Sequence, residues 1–178
     1  SIERFVESGL AELGPRLGPI LWQFAPTKRF EPEDFEAFLK LLPAKIGARK
    51  ARHALEPRHA SFIDREFVAL ARRYRCAIVF TDSDAYPKIG DVTADFVYMR
   101  LHGDKELYRS GYSDRALDRW AKRISAWHRG SEPRDAQKML KKTPPTSKPR
   151  DVYCYFDNTD VKLRAPVDAQ ALIRKLNR

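Results

Sequence analysis

The feature that most constrains this chain is an alternation of short, unbroken apolar runs with longer amphipathic stretches. The runs cover residues 20–24, 53–56, 76–81, 96–101 and 152–156, and several stop at proline, aspartate or His-Gly. Their length and flanks indicate strands. Their apolar continuity indicates strands covered on both faces, as in a parallel sheet.

Between the runs, apolar residues recur at helical spacing. Ile2, Phe5, Val6, Leu10 and Leu13 predict a first helix ended by Gly14-Pro15. Pro32 suits the first turn of a helix with Phe35, Phe38, Leu39 and Leu42 on one face. Ser61 is expected to cap a third helix carrying Phe62, Phe67, Leu70 and Tyr74. Ser113 is expected to cap a fourth with Leu117, Trp120, Ile124 and Trp127 as its stripe. A last helix runs from Pro166 through Leu172, Ile173 and Leu176. Residues 130–150 hold four prolines and many basic residues, which predicts a mobile basic surface loop with one short helical turn at 136–140.

Strand–helix alternation gives parallel βαβ units with right-handed crossovers. About five such strands fit either an open doubly wound sheet or part of a (β/α)8 barrel, which typically takes about 250 residues. A helix precedes the first strand, and the chain opens on Ser1 already in a helical pattern. Both points favour a partial TIM-type barrel of the α/β class with its N-terminal strands missing.

No apolar run approaches the roughly 20 residues of a membrane helix, and no signal-peptide pattern opens the chain. Cys76 and Cys154 show no framework spacing, which fits two reduced thiols and a cytoplasmic location. Lys and Arg outnumber Asp and Glu by 34 to 24, a net charge of +10. That field favours anionic partners, either a small molecule or nucleic acid.

Both candidate architectures bind ligands at the carboxyl ends of the strands. Gln23 and Glu56 end the first two runs, with Arg58 and His59 just beyond the second. Asp82 and Asp84 follow the third, Arg100 and His102 close the fourth, and Asp157 and Asn158 follow the fifth. The segments 17–26, Glu56-Pro57-Arg58-His59, Tyr98-Met99-Arg100-Leu101-His102-Gly103 and Tyr153-Cys154-Tyr155-Phe156-Asp157-Asn158 together resemble the YecE-like family, domain of unknown function seventy-two. The resemblance implies a TIM barrel whose first strands are absent here. The family's Gly-Thr-Ser-Gly-like opening and Asn-containing second strand do not occur. Phe62 stands where the family often has tryptophan, and Asp168 where asparagine is frequent.

Three chemistries suit the strand-end set. Glu56, His59, Asp82 and His102 offer imidazole and carboxylate ligands to a divalent metal that would activate water. Without a metal, His59 or His102 would move protons, oriented by Glu56 or Asp82, while Arg58 and Arg100 clamp a phosphate or carboxylate. Alternatively, Glu56 and Arg100 form a buried ion pair and His102 bonds only backbone. Tyr108 and Tyr112 are placed to cover a ligand. Lys138, Lys141, Lys142, Lys148 and Arg150 would meet nucleic-acid phosphates. An enzyme acting on an anionic substrate and a non-catalytic nucleic-acid binder are both expected to fit. An open barrel would also expose strand edges that pair with a second copy or with the missing N-terminal part.

Overall fold

The computed structural model describes residues 1–103, 110–140, 145–158 and 163–177. Five parallel segments form its framework: β1 (Ile20–Gln23), β4 (His53–Glu56), the pair β5 (Ala77–Ile78) and β6 (Phe80–Thr81), β7 (Phe96–Leu101) and β8 (Asp151–Phe156). Between β1 and β4 lies a short antiparallel hairpin, β2 (Lys45–Ile46) with β3 (Arg49–Lys50), which the apolar pattern does not reveal.

Ile20 pairs with His53 and Gln23 with Glu56, so β1 and β4 run parallel and end level. The run 76–81 is one strand that changes partner. Its first half pairs with β4, and the Val79 amide still bonds Leu55 O at 2.9 Å. Phe80 and Thr81 then pair with Met99 and Arg100 of β7. β7 and β8 pair along six positions, from Phe96 with Asp151 to Leu101 with Phe156. The α/β class and the parallel strands are as expected. Among the described residues the strands do not close into a barrel, and β1 and β8 are the edges.

The array is curled. Gln23 and Arg100 sit on segments three intervals apart, about 14 Å in a flat sheet, yet Arg100 Nη1 donates to Gln23 Oε1 at 3.2 Å. At the opposite end, Arg52 beside β4 reaches the Tyr153 hydroxyl of β8 at 2.9 Å, again over three intervals. One face is therefore concave. Ala54, Ala77, Val79, Phe96 and Tyr98 pack on it. The alternate residues Val97, Met99 and Leu101 pack outward under α4 (Asp114–His128) and α5 (Ala165–Leu176).

α4 meets the sequence pattern in full. Ser113 Oγ accepts from the Ala116 amide at 3.2 Å, and Leu117, Trp120, Ile124 and Trp127 are buried. α2 (Pro32–Lys40) buries Phe35 and Leu39 in a phenylalanine-rich cluster with Phe62 and Phe67.

Four local expectations need correction. The first helix is two pieces, α1 (Ile2–Val6) and a 3-10 segment Leu10–Arg16, because Gly9 takes φ 105° between them. None of its apolar residues is buried. α3 (Arg65–Arg73) is capped by Asp64, whose carboxylate accepts from the Glu66 and Phe67 amides. Ser61 instead accepts from the Phe30 amide at 2.8 Å, and Phe62 lies in the 3-10 turn before the helix. In α5 only Leu172 of the expected stripe is buried, because the inward face is Ala165, Asp168 and Leu172. Residues 136–140 form no helix. Met139 N and Leu140 N donate instead to the Asp91 carboxylate at 2.6 and 3.0 Å, and Ala136 N closes a local turn to Pro133 O at 3.2 Å.

Candidate functional site

Gln23, Glu56 and Arg100 stand at the carboxyl ends of β1, β4 and β7, and Asp157 directly follows β8, so the four reach one rim of the concave face. Gln23 is level with Glu56, whereas Arg100 pairs with Tyr155 and its long side chain makes the contacts to Glu56 and Asp157. Arg100 is the hub. Its Nη1 donates to Glu56 Oε2 and Oε1 at 2.7 and 2.9 Å, and its Nη2 to Asp157 Oδ2 at 2.5 Å. Arg58 Nη2 approaches the same Glu56 carboxylate at 3.1 Å. Two guanidiniums thus offset the cost of burying Glu56, whose side chain is 5% exposed. The ion pair between Glu56 and Arg100, which the sequence offered as the alternative to a catalytic role for these residues, is formed.

Below this pair, His102 is fully buried between two carboxylates. Its Nδ1 lies 3.5 Å from Asp82 and its Nε2 3.7 Å from Asp157. Thr81 Oγ1 approaches Nδ1 at 3.1 Å, and the His102 amide donates to Asp82 Oδ1 at 2.8 Å. Its contacts therefore go beyond the backbone bond. Asp82 also accepts the Tyr112 hydroxyl hydrogen, while the Gly103 amide donates to that hydroxyl at 2.8 Å. Burial first, and Asp82 second, push the Tyr112 phenol far above its usual range, so it stays a donor.

Several sequence-chosen residues have other work. His59 turns Nδ1 to the Ser61 hydroxyl at 2.8 Å and accepts the Ser61 amide at 3.1 Å, closing its own turn. Of the four residues Glu56, His59, Asp82 and His102, Asp82 and His102 meet at 3.5 Å, while Glu56 is held by two arginines and His59 by Ser61. No group of three or more metal-ligating side chains occurs among the described residues. Tyr112 is buried as a brace for Asp82 and does not form a cover. Asn158 is fully buried and donates to Ser110 O at 3.0 Å and Asp168 Oδ2 at 2.8 Å, behind the rim. Asp84 is exposed and pairs with Lys88. Tyr108, Lys141 and Lys142 lie outside the described residues. Arg150 is buried and donates to Gly130 O at 2.7 Å and Thr146 O at 2.5 Å, which removes it from any phosphate-binding surface.

Sequence reasoning missed Tyr86. Its hydroxyl accepts from Arg58 Nη1 at 3.1 Å, its ring carries the Arg58 guanidinium at 4.4 Å, and its edge meets His102 at 5.7 Å. An aromatic residue just beyond a strand end, before Pro87, was the available signal. Asp168 was missed as a contributor to the site's support. It accepts the Tyr112 amide at 3.2 Å and so steadies the segment that braces Asp82.

No helix of the described residues is long and apolar enough to cross a membrane. No curated protein matches the chain. The fold is similar to that of a DUF72 family protein from Thermotoga maritima, with a TM-score of 0.75 at 20% identity. The match covers 99% of this chain and 65% of that one, so the chain spans less than two thirds of that protein's length. A family model for a protein of unknown function, DUF72, matches residues 1–178. Matched end to end by that model, the chain belongs to the DUF72 family.

Proposed function

We propose that this chain carries the site of an enzyme acting on a phosphorylated or otherwise anionic small substrate at the carboxyl ends of its strands. The observation that supports it is Arg100, braced at the rim by Glu56 and Asp157 with His102 beneath. A substrate anion competes for the Arg100 guanidinium. Asp157, with a side chain 33% exposed, is the partner able to yield, whereas Glu56 at 5% is fixed. Released from Arg100, the Asp157 carboxylate pairs with His102 and moves a proton at the substrate. Arg58 and Gln23 complete the anion's polar surround.

Phosphoester hydrolysis is the reaction this arrangement suits. The test is turnover of a panel of phosphate monoesters (p-nitrophenyl phosphate, glycerol phosphate and sugar phosphates) by the chain and by Arg100→Gln, Asp157→Asn and His102→Ala. Loss of turnover in all three supports the roles given, and unchanged turnover in Arg100→Gln and His102→Ala overturns them.

The architecture reads as part of a (β/α)8 barrel, supported by the curl that brings Gln23 to Arg100. Its two uncovered edges then pair with further strands, in a second copy or in additional chain. The two free thiols, Cys76 and Cys154, support a cytoplasmic location. Nucleic-acid binding is the second reading, favoured by the net charge of +10. An affinity for a mixed-sequence duplex that falls steeply between low and physiological salt supports it, and salt-insensitive binding refutes it.

A further inference from the structure

No helix lies between β6 and β7 among residues 82–95, although the other crossovers of the parallel array each carry one. The space left on the convex side of β6 is a cavity of about 290 Å³ between that strand, α4 and the segment 133–137. Phe80 meets Trp120 and Trp127 there, with ring centroids 5.7 and 5.4 Å apart. The segment that roofs it is fixed. Gly90 N donates to Gln137 O at 2.8 Å, and a Cβ at Gly90 would stand 2.8 Å from the Gln137 amide nitrogen, so only glycine lets the two backbones approach so closely.

Three cations, Lys88, Arg119 and Arg123, join the aromatic walls. Arg123 lies over the Trp120 ring at 4.9 Å. Its carboxylate partner, Asp135, has a side chain 63% exposed, and the partner of Lys88, Asp84, is almost wholly exposed. Pairs this exposed contribute little and exchange readily for a ligand's charge. Asp82, also in the lining, is already committed to Tyr112 and His102. The buried Trp127 Nε1 has no hydrogen-bond partner among the described residues, an unusual state for an indole donor. A dry cavity of about 150 Å³ is enough for benzene, so this one has room for a ring and a charged substituent.

We infer that this cavity is a second binding site, separate from the rim, for a monocyclic aromatic compound bearing one carboxylate or phosphate group. The ring packs against Phe80, Trp120 and Trp127, and the anion takes Arg119, Arg123 and Lys88. The site stands whether or not the rim is catalytic: its lining shares Thr81, Asp82 and Gly103 with the network around His102 and Tyr112, but Arg100, Glu56, Asp157 and His102 do not line it.

The test is tryptophan fluorescence in a Trp22→Phe background, which leaves Trp120 and Trp127 as reporters, titrated with phenyl phosphate and with benzoate. A saturable change for either, with inorganic phosphate and benzyl alcohol each binding roughly tenfold more weakly or worse, supports the site. The preferred probe of the two identifies the anion. Ala136→Phe, which fills the cavity, and Arg123→Gln, which removes one cation, should each weaken binding by about tenfold. The inference is overturned if neither probe binds, if inorganic phosphate binds as well as phenyl phosphate, or if Arg123→Gln and a natively folded Ala136→Phe, checked by circular dichroism, both bind undiminished.

Discussion

Arg100 donates to both oxygens of the Glu56 carboxylate, at 2.7 and 2.9 Å, although a whole strand runs between the two residues. The same carboxylate serves Arg58. Glu56→Ala would remove the carboxylate that Arg58 and Arg100 share, leaving Asp157 on Arg100. The expected loss of stability is roughly 3 kcal/mol, the cost of breaking a buried ion pair from one side. Glu56→Gln keeps one acceptor oxygen and should lose less. Urea denaturation measures both, and a Glu56→Ala loss under about 1 kcal/mol would mean the pair behaves as a surface one.

His53 should make stability depend on pH. The Trp22 indole N–H donates to its Nδ1 at 3.1 Å, which leaves the ring proton on Nε2, facing the Pro43 carbonyl at 2.9 Å. A second proton on Nδ1 would confront the indole donor. Burial lowers the imidazole below its ordinary 6.5, with the Pro43 carbonyl acting the other way. The unfolded chain therefore takes up the proton first. Stability from this group is full above about 6.5 and is lost as pH falls through the lowered folded value. Denaturation curves between pH 7 and pH 5 should show the decline, and His53→Phe should flatten it. An equal slope in that variant would remove His53 as the cause.

Both thiols should be unreactive in the folded chain. Cys76 is buried and Cys154 partly so, and desolvation pushes Cys76 up to about 12 and Cys154 to about 12, the latter with help from the Asp82 charge. At pH 8 the thiolate fraction is on the order of one in ten thousand. Ellman's reagent should therefore label native protein at least about a hundredfold more slowly than urea-unfolded protein. Rapid labelling of either thiol in the native chain would contradict this.

The edges β1 and β8 bear backbone groups with no strand partner among the described residues. An exposed strand edge is a template on which a further strand can pair. The 178-residue chain by itself should self-associate, visible in light scattering as a mass above 20.6 kDa that rises with concentration. A stable monomer at all concentrations would count against strand pairing at these edges.

The sequence by itself determined the five parallel strand segments, though not the short β2–β3 hairpin, and the strand ends at which polar residues collect. Apolar runs of strand length report local chain preference and burial, and strand ends follow from them. It also located the Ser113 cap and the α4 stripe, where side-chain hydrogen bonding and helical period coincide. Tertiary structure decided which strand-end residues meet. Curl brings Gln23 and Glu56 to Arg100, and nothing local encodes curl. The turn around His59 withdraws that imidazole toward Ser61, Arg150 spends its charge on carbonyls, and Asp168 replaces an apolar residue on a buried helix face because Tyr112 and Asn158 need its oxygen. Each of these depends on partners distant in sequence, and a periodicity read along one segment carries no information about them.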